Sequence, residues 1–131
     1  MKHPLSFFAI AALVVAGISS CNTTEENEAP VVMIISPTSA NDPYMSGMPI
    51  SINVEATDDL ELHEIVISVV RAHDSEEVYV KYDHSHGTSY AYQVDTMFTT
   101  TVHSDFTITA TVSDHEGEET VATETFHMHP M

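Results

Sequence analysis

The chain has 131 residues, with 20 Asp and Glu against 3 Lys and Arg, 9 His, and a formal net charge of −17 at pH 7. Such a field repels nucleic acid and anionic lipid headgroups and excludes nucleic acid as a partner. It suits cations, or simply solubility, and most of these carboxylates read as a solvated surface.

Taken in chain order, residues 1–20 stand apart from any fold. Lys2 and His3 precede an apolar run from Leu5 to Ile18, then Ile18-Ser19-Ser20-Cys21. That is the pattern of a secretory signal, too short and wrongly flanked for a transmembrane helix. Small residues before the only cysteine resemble the bacterial lipobox. The resemblance implies cleavage before Cys21, a diacylated thiol and an acylated amino group. Each buried acyl CH₂ contributes about 0.8 kcal/mol, so the anchor would hold firmly to a membrane. With its one Cys so used, the chain has none left for a disulfide, thiol catalysis or metal ligation. Residues 21–29, ending "NTTEENEA", carry no large apolar side chain and read as an acidic tether. Acidic residues soon after the cysteine resemble the surface-export signal of some Bacteroidota lipoproteins. That implies the outer membrane, with its facing side open.

From Pro30 to Met131 the chain reads as strands. "VVMII" (31–35) stops at Ser36-Pro37. "ISINVEA" alternates, with Ile50, Ile52, Val54 and Ala56 on one face, as a half-buried strand requires. Leu62 to Val70 is rich in Ile and Val, as in a central strand. "VYVKY" (78–82) and "YAYQV" (90–94) flank the polar loop "DHSHGTS". "FTITATV" turns Phe106, Ile108, Ala110 and Val112 inward, and Asp114-His115-Glu116-Gly117 is a turn. "ETVATETFHM" (119–128) returns with Ala122, Phe126 and Met128 inward, interrupted by Glu124. About seven alternating strands without a sustained helical pattern make the fold class all-β, an antiparallel β-sandwich.

The openings "PVVMIISP", "INVEATDDLEL" and "ITATVSDHEGEET" resemble a bacterial Ig-like domain of the cadherin-like or fibronectin-like sort. The resemblance spans Pro30 to about Met128 and implies an Ig-like topology. Small Bacteroidota-type lipoproteins with one such domain and His-containing loops are similar. The Ig Cys–Trp–Cys core is absent, and a shared fold names no function.

In an Ig-like topology, Asp58 and Asp59 share an end with Asp114 and Glu116, and Glu28 starts nearby. Calcium needs six to eight oxygens, and cadherin-like domains hold it at such an end. The resemblance therefore implies a calcium site at Asp58, Asp59, Asp114 and Glu116, against solvated turn residues as the plain alternative.

The opposite end holds the stronger pattern. His127 and His129 project from the outer face of the last strand, and His103 and Asp105 from that of the strand before it. Pairing Ser113 with Glu119 sets Asp105 opposite His127 and His103 opposite His129; a two-residue slip sets His103 opposite His127. Directly opposed Cβ atoms lie ~5 Å apart, and imidazole nitrogens reach a shared zinc at ~2.0–2.1 Å. Asp105 is a fourth ligand or the acceptor that fixes a tautomer. Zinc is the first choice and copper(II) the second. His73 is expected near this end. His84 and His86 form a second, looser candidate pair, with His63 and His115 expected close by. An unperturbed imidazole protonates near pH 6.5, so both clusters are expected to bind metal poorly in acid.

No nucleophile elbow, phosphate loop, HExxH or dinucleotide turn occurs, so no enzymatic activity is expected. The functional reading is a lipid-anchored envelope protein that binds zinc or copper. The rival is an adhesion or interaction module of an envelope complex, with calcium at most structural. Tyr79, Tyr82, Tyr90 and Tyr92 could supply its contact surface, although strand tyrosines more often serve the core.

Overall fold

The computed structural model describes residues 26–131. The expected signal segment, Cys21 and the first tether residues lie outside the described residues. Eight strands follow, β1 Val31–Ser36, β2 Tyr44–Met45, β3 Pro49–Thr57, β4 Leu62–Arg71, β5 Glu76–His84, β6 Ser89–Met97, β7 Ser104–Asp114 and β8 Glu119–His129. One sheet has the order β1-β3-β6, the other β2-β8-β7-β4-β5. This is the expected all-β, Ig-like sandwich. The chain crosses between sheets at β1–β2, β2–β3, β3–β4, β5–β6 and β6–β7.

The inward residues follow from period-two patterning. Ile52, Val54, Ile65, Ile67, Val69, Phe106, Ile108, Ala110, Val112, Phe126 and Met128 are each 0% exposed. Full burial of such a side chain contributes about 1.5–3 kcal/mol. Phe98, Phe106 and Phe126 pack with ring centres 5.4–6.2 Å apart and fill one end of the core.

The edges show how the sandwich is closed. β5 and β6 end their respective sheets on the same side. The Tyr79 and Tyr92 hydroxyls lie 2.5 Å apart, and Tyr90 donates to Asp83 at 3.0 Å. Lys81 sits 5.8 Å from the Tyr92 ring centre. Polar and charged groups turned inward on edge strands also discourage edge-to-edge association. Of the four tyrosines weighed as a contact surface, Tyr79, Tyr90 and Tyr92 are half-buried against the core. Only Tyr82 stands out, at 69% exposure. Glu124 has a similar reason. It faces Ile108 across the ladder, on the part of β8 that β2 does not cover.

Two differences from the sequence reading matter for function. The eighth strand, β2, pairs in parallel with the end of β8, Tyr44 beside Met128 and Met45 beside His129. Two residues offer no periodicity to read. The second is that the tether is held at its far end, where Asn27 Nδ2 donates to Asp114 Oδ2 at 2.6 Å.

Candidate metal centres

β7 and β8 pair in the first of the two expected registers, Ser113 with Glu119 and Asp105 with His127. Side chains opposed on an antiparallel ladder share a face. His103, just before β7, therefore stands over His127 and His129, with ring centres 5.8 and 4.4 Å away. The rings of His127 and His129 are 5.2 Å apart. One ligand nitrogen from each of the three lies within 4.8 Å of the other two.

Asp105 takes the orienting role rather than completing the nitrogen cluster. His127 Nδ1 and Asp105 Oδ1 are 2.7 Å apart. With Nδ1–H donated to the carboxylate, Nε2 keeps its lone pair for an ion, the usual carboxylate–histidine–metal relation.

The strand end that carries these rings is fastened on its other side. The His127 backbone N–H donates to Asp42 Oδ1 at 2.8 Å, and Ser46 N–H donates to His129 O at 2.9 Å. Tyr44 meets Phe126 edge to face at 5.2 Å. Asp42 and β2 were not singled out from the sequence; the "NDP" turn before Tyr44 was the available signal. His73 does reach this end, where Nδ1 lies 3.2 Å from Ser104 Oγ and Nε2 3.6 Å from Asp74. It stays outside the trio. Arg71 pairs with Asp74 and Glu76. Its hydrogen bond holds the Asp74 carboxyl at about 2.

At the other end of the same sheet His63 and His115 stand beside the His84–His86 pair, as expected. His63 lies in a β4 bulge, where the register against β7 shifts between Leu62 and Ile65. His84 ends β5, His86 lies in the β5–β6 crossover, and His115 lies in the β7–β8 turn. Ring centres are 4.4 Å apart for His63–His84, 4.7 Å for His84–His86, 5.5 Å for His86–His115 and 4.3 Å for His115–His63. Local desolvation, then repulsion from His63, His86 and His115, holds His84 below its ordinary pKa, with Glu64 opposing.

The polar composition of the crossover predicts a loop without fixed geometry. It is tied down instead. Ser85 N–H donates to His63 O at 2.9 Å, Leu62 N–H to Gly87 O at 3.0 Å, and His115 N–H to Glu61 O at 3.3 Å. Long-range backbone bonds of this kind have no local sequence signature.

Two of the acidic residues at this end, Asp114 and Asp58, accept backbone hydrogen bonds within turns. Asp114 is 2% exposed and accepts from Gly117 N–H at 2.7 Å and Glu118 N–H at 2.8 Å. Burial pushes its carboxyl up, but the bonds from Asn27, Glu118 and Gly117 outweigh that and leave it below the ordinary value. Gly117 follows at φ +94°, which a side chain would oppose. Asp58 Oδ2 accepts from Leu60 N–H at 3.3 Å, while Asp58 Oδ1 and Asn27 Oδ1 are buried without a hydrogen-bond partner. Asp59 and Glu116 are exposed. The carboxylate groups with mutual reach for an ion do not include three of Asp58, Asp59, Asp114 and Glu116.

No protein-family model matches the chain, and no curated protein matches it. Among solved structures the chain is similar to the sporulation control protein Spo0M from Bacillus subtilis, at TM-score 0.45 and 10% identity. The match covers 77% of this chain and 49% of that one, so the chain spans about half its length.

Proposed function

We propose that this is a non-enzymatic, lipid-anchored protein of the bacterial cell envelope that binds a divalent transition metal, zinc first and copper second. The anchor reading rests on the apolar run and small residues before Cys21 and directs the protein to the outer membrane, on either face. The observation that carries metal binding is the terminal trio. His103, His127 and His129 offer nitrogens within 4.8 Å of one another, and Asp105 orients His127 at 2.7 Å. Three neutral imidazoles with an open fourth position suit zinc. A net charge of −17 raises the local cation concentration. Calcium has at most a structural part, among Asp58, Asp59, Asp114 and Glu116.

The test is a zinc titration by calorimetry of the protein and of a His127→Ala/His129→Ala variant. The expected result is binding at micromolar Kd or tighter, about −8 kcal/mol, with one equivalent lost in the variant. Identical titrations would refute the terminal site.

A second reading, an interaction module, is favoured by the outer face of the five-stranded sheet. Its middle carries Val66, Val80 and Tyr82 beside Thr109, Thr111, Val121 and Thr123, with no carboxylate among them despite the acidic chain. Thr109→Lys would abolish capture of an envelope partner on that reading and leave metal binding unchanged.

A further inference from the structure

The four-histidine end has its own geometry, and that geometry differs from a zinc site. With metal–nitrogen bonds of about 2.0 Å, four imidazoles in a tetrahedron set all ring centres roughly 5.1 Å apart. In a flat set, neighbours stand roughly 4.5 Å apart and opposite rings roughly 6.3 Å apart. Around the circuit His63–His84–His86–His115 the sides measure 4.4, 4.7, 5.5 and 4.3 Å, and the His84–His115 diagonal measures 6.2 Å. Three sides and the diagonal fit the flat arrangement. The long side belongs to His86, on the exposed crossover, where a shift of about 1 Å closes it.

We propose that His63, His84, His86 and His115 form a copper(II) site, separate from the terminal trio, with Glu61 as an outlying oxygen ligand. A tetragonal set of nitrogens with weaker axial oxygen is the preference of copper(II), which also tops the affinity order for divalent ions at imidazole. Nitrogens of His63, His84 and His115 lie within 4.8 Å of one another, as do ligand atoms of Glu61, His86 and His115. The Glu61 carboxylate is 3.9 Å from His115 Nε2, so it is at hand as an oxygen ligand. The backbone ties from Ser85 to His63 and from His115 to Glu61 hold the circuit together before metal arrives, which reduces the ordering cost of binding. A bound ion would join β4, the end of β5, the β5–β6 crossover and the β7–β8 turn at this end of the five-stranded sheet. The protein then takes two ions, one at each end of β7.

Copper(II) sulfate titrated into the protein, followed by electron paramagnetic resonance, tests this. The expected spectrum at the first equivalent is tetragonal, with hyperfine structure from at least three nitrogens. It persists in a His127→Gln/His129→Gln variant. It is lost in His84→Gln/His86→Gln, with affinity lowered about 100-fold or more; both residues are exposed, so the sandwich is retained. His115→Gln gives a second, independent loss. An unchanged spectrum and affinity in both His84→Gln/His86→Gln and His115→Gln would overturn the proposal. So would loss of the signal in His127→Gln/His129→Gln alone. Failure of the terminal zinc site appears separately, as an unchanged zinc stoichiometry in that last variant.

Discussion

At one end of the five-stranded sheet three imidazoles stand on and beside two paired strands; at the other, four stand on a bulge, a strand end, a crossover and a turn. The ends are nine residues apart along β7, from Asp105 to Asp114, or about 30 Å at the rise of a strand. They hold their rings by different means. The terminal trio is positioned by ladder register, and its orienting carboxylate comes from the neighbouring strand. The four-histidine cluster is positioned by backbone bonds between segments distant in sequence, with Asp114 bracing the turn beneath His115. Strands supply a repeating geometry, so a few residues suffice for a site. Turns supply none, so each ring needs its own anchor.

Removing Asp114 separates the two ends most severely. Asp114→Ala leaves the Gly117 and Glu118 N–H groups and the Asn27 amide without their acceptor and is expected to cost about 3 kcal/mol in urea unfolding. It should weaken copper binding at the near end while zinc at the trio stays intact. A cost under about 1 kcal/mol would mean that the turn stands without its brace.

Asp105→Asn acts on the other end alone. Loss of the orienting acceptor is expected to lower zinc affinity by about 10–100-fold in calorimetry, with the copper spectrum unchanged. An effect at both ends would show the sites to be coupled.

Acid separates the ends in the metal-free protein. His84 titrates below its ordinary 6.5, so the folded chain binds fewer protons there than the unfolded chain as pH falls through that value. Stability is therefore unaffected above it and declines below it. The thermal midpoint should drop between pH 7.5 and pH 5.5, and His84→Gln should reduce that drop. The carboxyl of Asp74 works in a lower window. Its stabilisation is complete above 3.8 and is lost as pH falls towards 2.

Midway between the ends, Thr109→Val is the control. It lies on the outer face between Ser68 and Thr123 and is expected to change stability by less than about 0.5 kcal/mol, with both titrations unaltered. A larger effect would mean that the sheet transmits strain between the sites.

The strands were legible because each long one turns a regular apolar face to a core. Every expected strand was observed, extended by a few residues at its ends, as for "VYVKY" within Glu76–His84. The register stayed open between two pairings until the structure aligned Asp105 with His127, but the face shared by His103, His127 and His129 was legible from side-chain parity. Glu124, Lys81 and Asp83 were not, since an inward charge makes sense only once its strand is known to be at an edge. The nearness of His63 and His115 to His84 and His86 was legible from the expected topology, but the backbone bonds that fix those segments were not.

Sequence by itself determined the all-β class, the inward and outward faces, and the sharing of one face by His103, His127 and His129, because side-chain period and turn chemistry are local properties. Tertiary structure alone decided which strands became edges, that β2 fastens the end of β8, and which backbone bonds hold the four-histidine circuit in place. Those depend on contacts between segments tens of residues apart, which no local pattern encodes.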